Sequence, residues 1–363
     1  MKITEIGKMN KMQLHRSMFI GAPGIGKTEI VRQYAMHQSG DREFIDLKDA
    51  DPNKLMKIYE QSEKYYVYLR IIAPHIFPED ISIPRGSDII LFKSPLTIDI
   101  LARKDILGLL FIDELTNVQR ADQRVLFYSM IYEGEIGWNV KLSTGITLIC
   151  AGNPPEWSSD AGNLPAPLIN KMMIVEVEPP NIDEWIEYMD SISDWNRIVA
   201  TFLKAYPNEF IKKSSGESLT PFPTPRAYTE LAKKLFNAPD NLIPTISEGI
   251  LGPDTSAYFI SFIRTKIPTI GEFLSQPDQW YKFKNEQKYL MLHTIVQNID
   301  KTIKEHSSNL GKFLSILIKS ERDMMVLLIK LIPKRNREKI IYRMPFKIFI
   351  DQLLDELAPL NGV

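Results

Sequence analysis

Eight consecutive residues, Gly21-Ala22-Pro23-Gly24-Ile25-Gly26-Lys27-Thr28, constrain this chain more than any other stretch. Their spacing is that of G-x-x-x-x-G-K-[ST], in which glycines let successive backbone N–H groups curl around a polyanion at the start of a helix. A chance match in a chain of this length is roughly a one-in-a-hundred event. Ser17-Met18-Phe19-Ile20 reads as a strand entering the loop. Glu29 to His37 carries Ile30, Val31, Tyr34 and Ala35 at helical spacing, and Gly40 can end that helix. Strand, loop and helix in this order imply an α/β unit. The pattern assigns all eight loop residues to a nucleotide, with Lys27 reaching the β- and γ-phosphates and the Thr28 hydroxyl a Mg²⁺ ligand.

Two further strand ends fit the same site. Leu107-Gly108-Leu109-Leu110-Phe111-Ile112 is an apolar run of the kind found in buried parallel strands, and it closes on Asp113-Glu114. Ligands of open α/β sheets lie at such carboxyl ends. Asp113 is expected to hold Mg²⁺ through water, and Glu114 to polarise the attacking water as general base. Thr147 to Ala151 reads as a third strand, ending at Gly152-Asn153-Pro154, where the Asn153 amide can orient that water against the γ-phosphate. Standing alone, Asp113-Glu114 would read as solvated acids and Asn153-Pro154 as a turn. The phosphate loop upstream favours the functional reading of both.

Bulk properties narrow the class. With 363 residues the chain can hold two or three domains, and an apolar fraction of 44% with 25% charged residues is ordinary for a globular protein. Lys+Arg 44 against Asp+Glu 45 argues against a nucleic-acid protein, whose binding domain usually carries a basic excess. One cysteine, Cys150, rules out an intramolecular disulfide and favours a cytoplasmic address. The five histidines lack ligand spacing, so no zinc site is expected. No signal peptide opens the chain, and the late apolar segments Phe313 to Ile318 and Met324 to Ile332 are too short to span a bilayer.

Beyond Pro180 the pattern turns helical. Asn181 can cap a helix bearing Ile182, Trp185, Ile186 and Met189, with Glu184 as capping-box partner. Ser193 can cap the next, with Trp195, Ile198, Val199, Phe202 and Leu203 on one face. Thr224-Pro225-Arg226 opens a third after the polar, Pro-rich stretch from Lys212 to Pro223. A cation in a helix's first turn is disfavoured by the helix dipole, so Arg226 there suggests a partner anion. Ala257 to Ile263, Tyr289 to Ile303, Phe313 to Ile318 and Arg322 to Ile332 read as further helices. Lys334 to Lys339 is a basic cluster, most simply a solvated face.

The set GAPGIGKT, LLFIDELTNV, ICAGNPPE and FPTPRAYTEL resembles the AAA+ ATPases and, within them, the MoxR-like group, over about residues 15–240. Gln123-Arg124-Val125-Leu126 and Leu164-Pro165-Ala166-Pro167-Leu168-Ile169-Asn170 carry the likeness further. It implies a P-loop core with a parallel sheet at 1–180, a helical lid at 181–240 and a helical C-terminal region at 241–363. Pro78 to Pro95 and a hairpin within Tyr132 to Gly145 resemble the group's pore-facing insertions, with Trp138 the aromatic at the hairpin tip. Arg226 becomes the lid arginine that touches the γ-phosphate. Relatives carry Asn-Arg where this chain has Asn170-Lys171, so the neighbour-supplied cation is Lys171, Arg120 or Arg124. The resemblance implies Mg-dependent ATP hydrolysis by a homo-oligomeric, hexameric ring that remodels or activates a protein client. It also implies a partner containing a von Willebrand factor A domain. The alternatives are a nucleic-acid-dependent motor or restriction-type subunit, and a slow nucleotide switch.

Overall fold

The apolar runs become the centre of a six-stranded, wholly parallel sheet. In chain order its strands are β1 (Ser17–Ile20), β2 (Glu43–Asp46), β3 (Tyr65–Ile72), β4 (Leu107–Asp113), β5 (Ile146–Gly152) and β6 (Met173–Glu176), arranged β6-β1-β5-β4-β3-β2. The computed structural model describes residues 3–85, 91–137, 140–157, 161–162, 164–192, 194–213 and 220–357. The chain divides into two compact units, Met1–Pro180 and Asn181–Val363.

In the first unit all seven residues of β5 are buried, as are all but Leu107 of β4. Strands covered on both faces must be apolar throughout, which is why they read as runs rather than alternations. The helix Lys27–Gln38 buries Ile30, Val31, Tyr34 and Ala35, the stripe expected from their spacing. Register places Ile20 beside Gly152 and Ile112 beside Cys150. The carboxyl ends of β1, β5 and β4 therefore form one contiguous edge. Pro78–Ile81 is a short helix, followed by a hairpin of Ile83–Arg85 with Leu91–Lys93. A second hairpin pairs Glu135–Gly137 with Val140–Lys141. Trp138 lies outside the described residues.

Among its described residues the second unit has helices and no strand, and it shares one core from Trp185 to Phe346. Its large rings meet edge-on, the favoured aromatic geometry: Phe273 and Phe313 at 4.9 Å, Trp280 and Phe313 at 5.0 Å, Phe202 and Phe259 at 5.2 Å. Burying each such side chain stabilises by about 1.5–3 kcal/mol. Asn181 and Glu184 form a reciprocal cap: the Asn181 side-chain oxygen Oδ1 accepts from the Glu184 N–H at 2.9 Å, and the Glu184 carboxylate from the Asn181 N–H at 2.8 Å.

Two helix boundaries differ from the sequence reading. The helix after Ile192 begins at Ile198, not near Ser193, which is outside the described residues. Trp195 precedes that helix, because the Asn196 side chain accepts the Ile198 N–H at 3.1 Å and so sets the start later. The expected run from Tyr289 to Ile303 is two helices, Asn285–Gln297 and Ile299–Ser320, broken at Asn298, where the backbone departs from helical values. Among the described residues no helix is long and apolar enough to cross a membrane.

Candidate functional site: a phosphate cradle at the sheet edge

The loop after β1 turns on two glycines in left-handed conformation, Gly24 at φ 72° and Gly26 at φ 102°. A side chain at either would be strained. Gly21 is closed in differently: a Cβ there would sit 2.7 Å from the Val177 carbonyl oxygen and 2.8 Å from Ile25 Cδ1. The loop thus turns on bare backbone at these three glycines and feeds the helix whose first residue is Lys27.

Lys27 is 8% exposed, and its ammonium donates to Gly21 O at 2.7 Å, Ala22 O at 2.9 Å and Asn153 Oδ1 at 2.9 Å. The amine is held inside its own loop and tied to the end of β5. Asn153 is positioned in turn by its backbone N–H, which donates to Thr116 Oγ1 at 3.0 Å. A Cβ on Gly152 would collide with that threonine side chain at 2.6 Å, so glycine is required for the close approach.

Thr28 Oγ1 donates to Asp113 Oδ2 at 2.8 Å. Asp113, buried at the end of β4, also accepts the Glu114 N–H on Oδ1 at 3.0 Å and pairs with Arg70. Glu114 itself sits at φ 58°, ψ 31°, a left-handed conformation rare for a residue with a side chain. Such strain gathers where geometry serves a site, and here it turns the chain sharply after Asp113.

These features fit a magnesium nucleotide. The cradle admits no Cβ at Gly21, an amine stands among backbone carbonyls, and Thr28 with Asp113 offers the hard oxygen donors that Mg²⁺ takes. Mg²⁺ held there would supply neutralisation of phosphate charge.

Lys27 and Asn153 are brought together by one hydrogen bond and Thr28 and Asp113 by another, and Glu114 joins Asp113 through its backbone. The three candidates for a neighbour-supplied cation have different settings. Lys171 is exposed, its ammonium 4.4 Å from the centre of the Tyr132 ring. Arg120 pairs with Asp122 at 2.6 Å and lies 4.8 Å over Phe77. Arg124 donates from Nε to the Val118 carbonyl at 3.1 Å, which ties it down. Arg226 is exposed in the first turn of the helix Pro225–Lys234, whose Thr224 cap accepts the Ala227 N–H at 3.1 Å. In the basic cluster, Arg335 pairs with Asp194 and Arg337 with Asp190, so both of those charges are neutralised within their own unit.

Sequence reasoning missed two participants. Thr116, in the stretch after Asp113-Glu114, positions Asn153. Arg70 contacts Asp113 with Nε at 3.0 Å and Nη2 at 2.7 Å. The signal for Arg70 was present: it is the one charge in the apolar strand Tyr65–Ile72. Near it, Tyr68 keeps a buried hydroxyl for which no hydrogen-bond partner is found, and burial with the Asp46 charge pushes its phenol well up.

No family model and no curated protein matches the chain. Among solved structures it is similar to NtrX from Brucella abortus in complex with ADP, with TM-score 0.38 and 13% identity over 89% of this chain and 67% of that one. A RuvB variant from Thermotoga maritima gives TM-score 0.34 and 17% identity over 84% and 74%. Cdc6p from Pyrobaculum aerophilum gives 0.35 and 13% over 93% and 85%. None of these likenesses assigns a family or an activity to this chain.

Proposed function

We propose that this protein is a Mg-dependent ATPase of the MoxR-like AAA+ type, working as a homo-oligomeric ring on a protein client. The observation that carries the reading is the convergence of Lys27, Thr28, Asp113 and Asn153 at the ends of three adjacent strands around an anion-shaped backbone loop. Loop amides and Lys27 bind the phosphates. Thr28 and Asp113 would hold Mg²⁺. Glu114 takes a proton from water as its oxygen attacks the γ-phosphorus, Asn153 orients that water, and the β–γ P–O bond breaks to give ADP and phosphate. Lys171, Arg120 or Arg124 from a neighbouring subunit and Arg226 would add positive charge. A lysine in that role gives a point charge without the planar fork of arginine. The resemblance also implies a client bearing a von Willebrand factor A domain.

ATP turnover measured across protein concentration, with mass determined in parallel, tests this. Turnover per subunit should rise as the ring forms, and Glu114→Gln should lower it by about 10²–10⁴-fold while ATP binding persists. Undiminished turnover in Glu114→Gln would remove that residue from the mechanism.

A further inference from the structure

Asp113 is nearly buried, and a carboxylate withdrawn from water costs several kcal/mol unless a cation accompanies it. Arg70 fills that role. Its Nε and Nη2 reach Asp113 Oδ2 at 3.0 and 2.7 Å, and Thr28 Oγ1 donates to the same oxygen at 2.8 Å. Oδ1 meanwhile accepts the Glu114 N–H. Each carboxylate oxygen offers about two lone-pair sites. The oxygen facing Thr28 therefore has no capacity left for a metal or its water.

Resting on the magnesium-nucleotide reading above, we propose that Arg70 is a counter-ion latch that competes with Mg²⁺ for Asp113. The two partners differ in their freedom to move. Asp113 is fixed in the core with its side chain 6% exposed, whereas the Arg70 side chain is 34% exposed and can withdraw along its flexible stem toward water. Exchange of Arg70 for the metal keeps Asp113 neutralised in both states. It also sets magnesium affinity below that of an unlatched carboxylate. Arg70 is in this account a positioning residue: it acts on the site through Asp113.

Binding of N-methylanthraniloyl-ADP, followed by fluorescence at buffered free Mg²⁺, tests the latch without relying on turnover. Arg70→Gln should lower the free-Mg²⁺ midpoint by about tenfold, the scale of one charge-assisted hydrogen bond. Its melting temperature in EDTA should fall below that of the unaltered protein, and the gap should close with Mg²⁺ and nucleotide. Arg70→Lys, which keeps the charge without the fork, should lie between and carries the test if the glutamine variant fails to fold. An unchanged or raised midpoint in a folded variant would overturn the latch while the nucleotide site stands. Equal weakening at every Mg²⁺ concentration would make Arg70 a phosphate ligand and overturn the latch as well. Failure of the unaltered protein to bind the probe at any Mg²⁺ concentration would remove the nucleotide reading and the latch together.

Discussion

Lys27 at the edge of the sheet and Asp190 among the later helices are both charged and nearly out of solvent, yet their partners differ in kind. The Lys27 ammonium donates to two backbone carbonyls of its own loop and to the Asn153 amide, neutral groups that an anionic ligand can outcompete. Asp190, its side chain 5% exposed, lies between Arg197 at 2.6 Å and Arg337 at 2.8 Å, and Arg337 is tied further to the Lys330 and Ile332 carbonyls. The first arrangement ties the ammonium to neutral oxygens of the loop and of the end of β5. The second closes on itself and joins the helices Ile182–Ile192 and Lys334–Ile341 within one core. Buried charge therefore marks function in one region and architecture in the other, and the partners tell which.

The largest stability effect should come from breaking the closed arrangement. Asp190→Ala leaves Arg197 and Arg337 without their shared carboxylate, and should cost about 3–5 kcal/mol in urea denaturation. A loss near zero would place this cluster with weak surface pairs and erase the contrast.

Next in size is a pH effect from the same region. Burial pushes the His293 imidazole down to about 4, with the Arg197 charge adding to the shift. Since an unfolded imidazole titrates near 6.5, the unfolded chain binds the proton first as pH falls. The stability His293 retains by staying neutral is full above about pH 6.5 and is lost between roughly pH 6.5 and 4, on the order of 3 kcal/mol in all. Denaturation midpoints at several pH values should show this slope, and His293→Gln should flatten it.

The smallest stability effect should follow Lys27→Ala. Its ammonium donates to loop carbonyls and to the Asn153 amide at the sheet edge, so thermal melting should move by about 1 kcal/mol or less in either direction. A loss comparable to that of Asp190→Ala would mean that Lys27 supports the fold rather than a ligand.

Much of the sheet was legible because strands buried on both faces must be continuous apolar runs, as Leu107 to Ile112 and Ile146 to Ala151 are. The loop was legible because left-handed turns and close backbone approach leave few alternatives to glycine at 21, 24 and 26. Asp113 and Asn153 were visible as polar residues ending such runs. Arg70 was not foreseen, since its role depends on strand order: β3 lies beside β4 only in the folded sheet, with Ile72 opposite Asp113. The late helix start at Ile198 escaped for a similar reason, as the Asn196 side chain also donates to Leu235 O, nearly forty residues on. Local pattern carries no information about that distant carbonyl.

Nucleotide binding by the unaltered protein and by Lys27→Ala, titrated side by side with and without Mg²⁺, tests the central claim most directly. The account predicts saturable ATP binding strengthened by Mg²⁺, reduced by about 100-fold or more in a variant that still folds, since one buried lysine faces the phosphates. Equal affinity in the two proteins would contradict it.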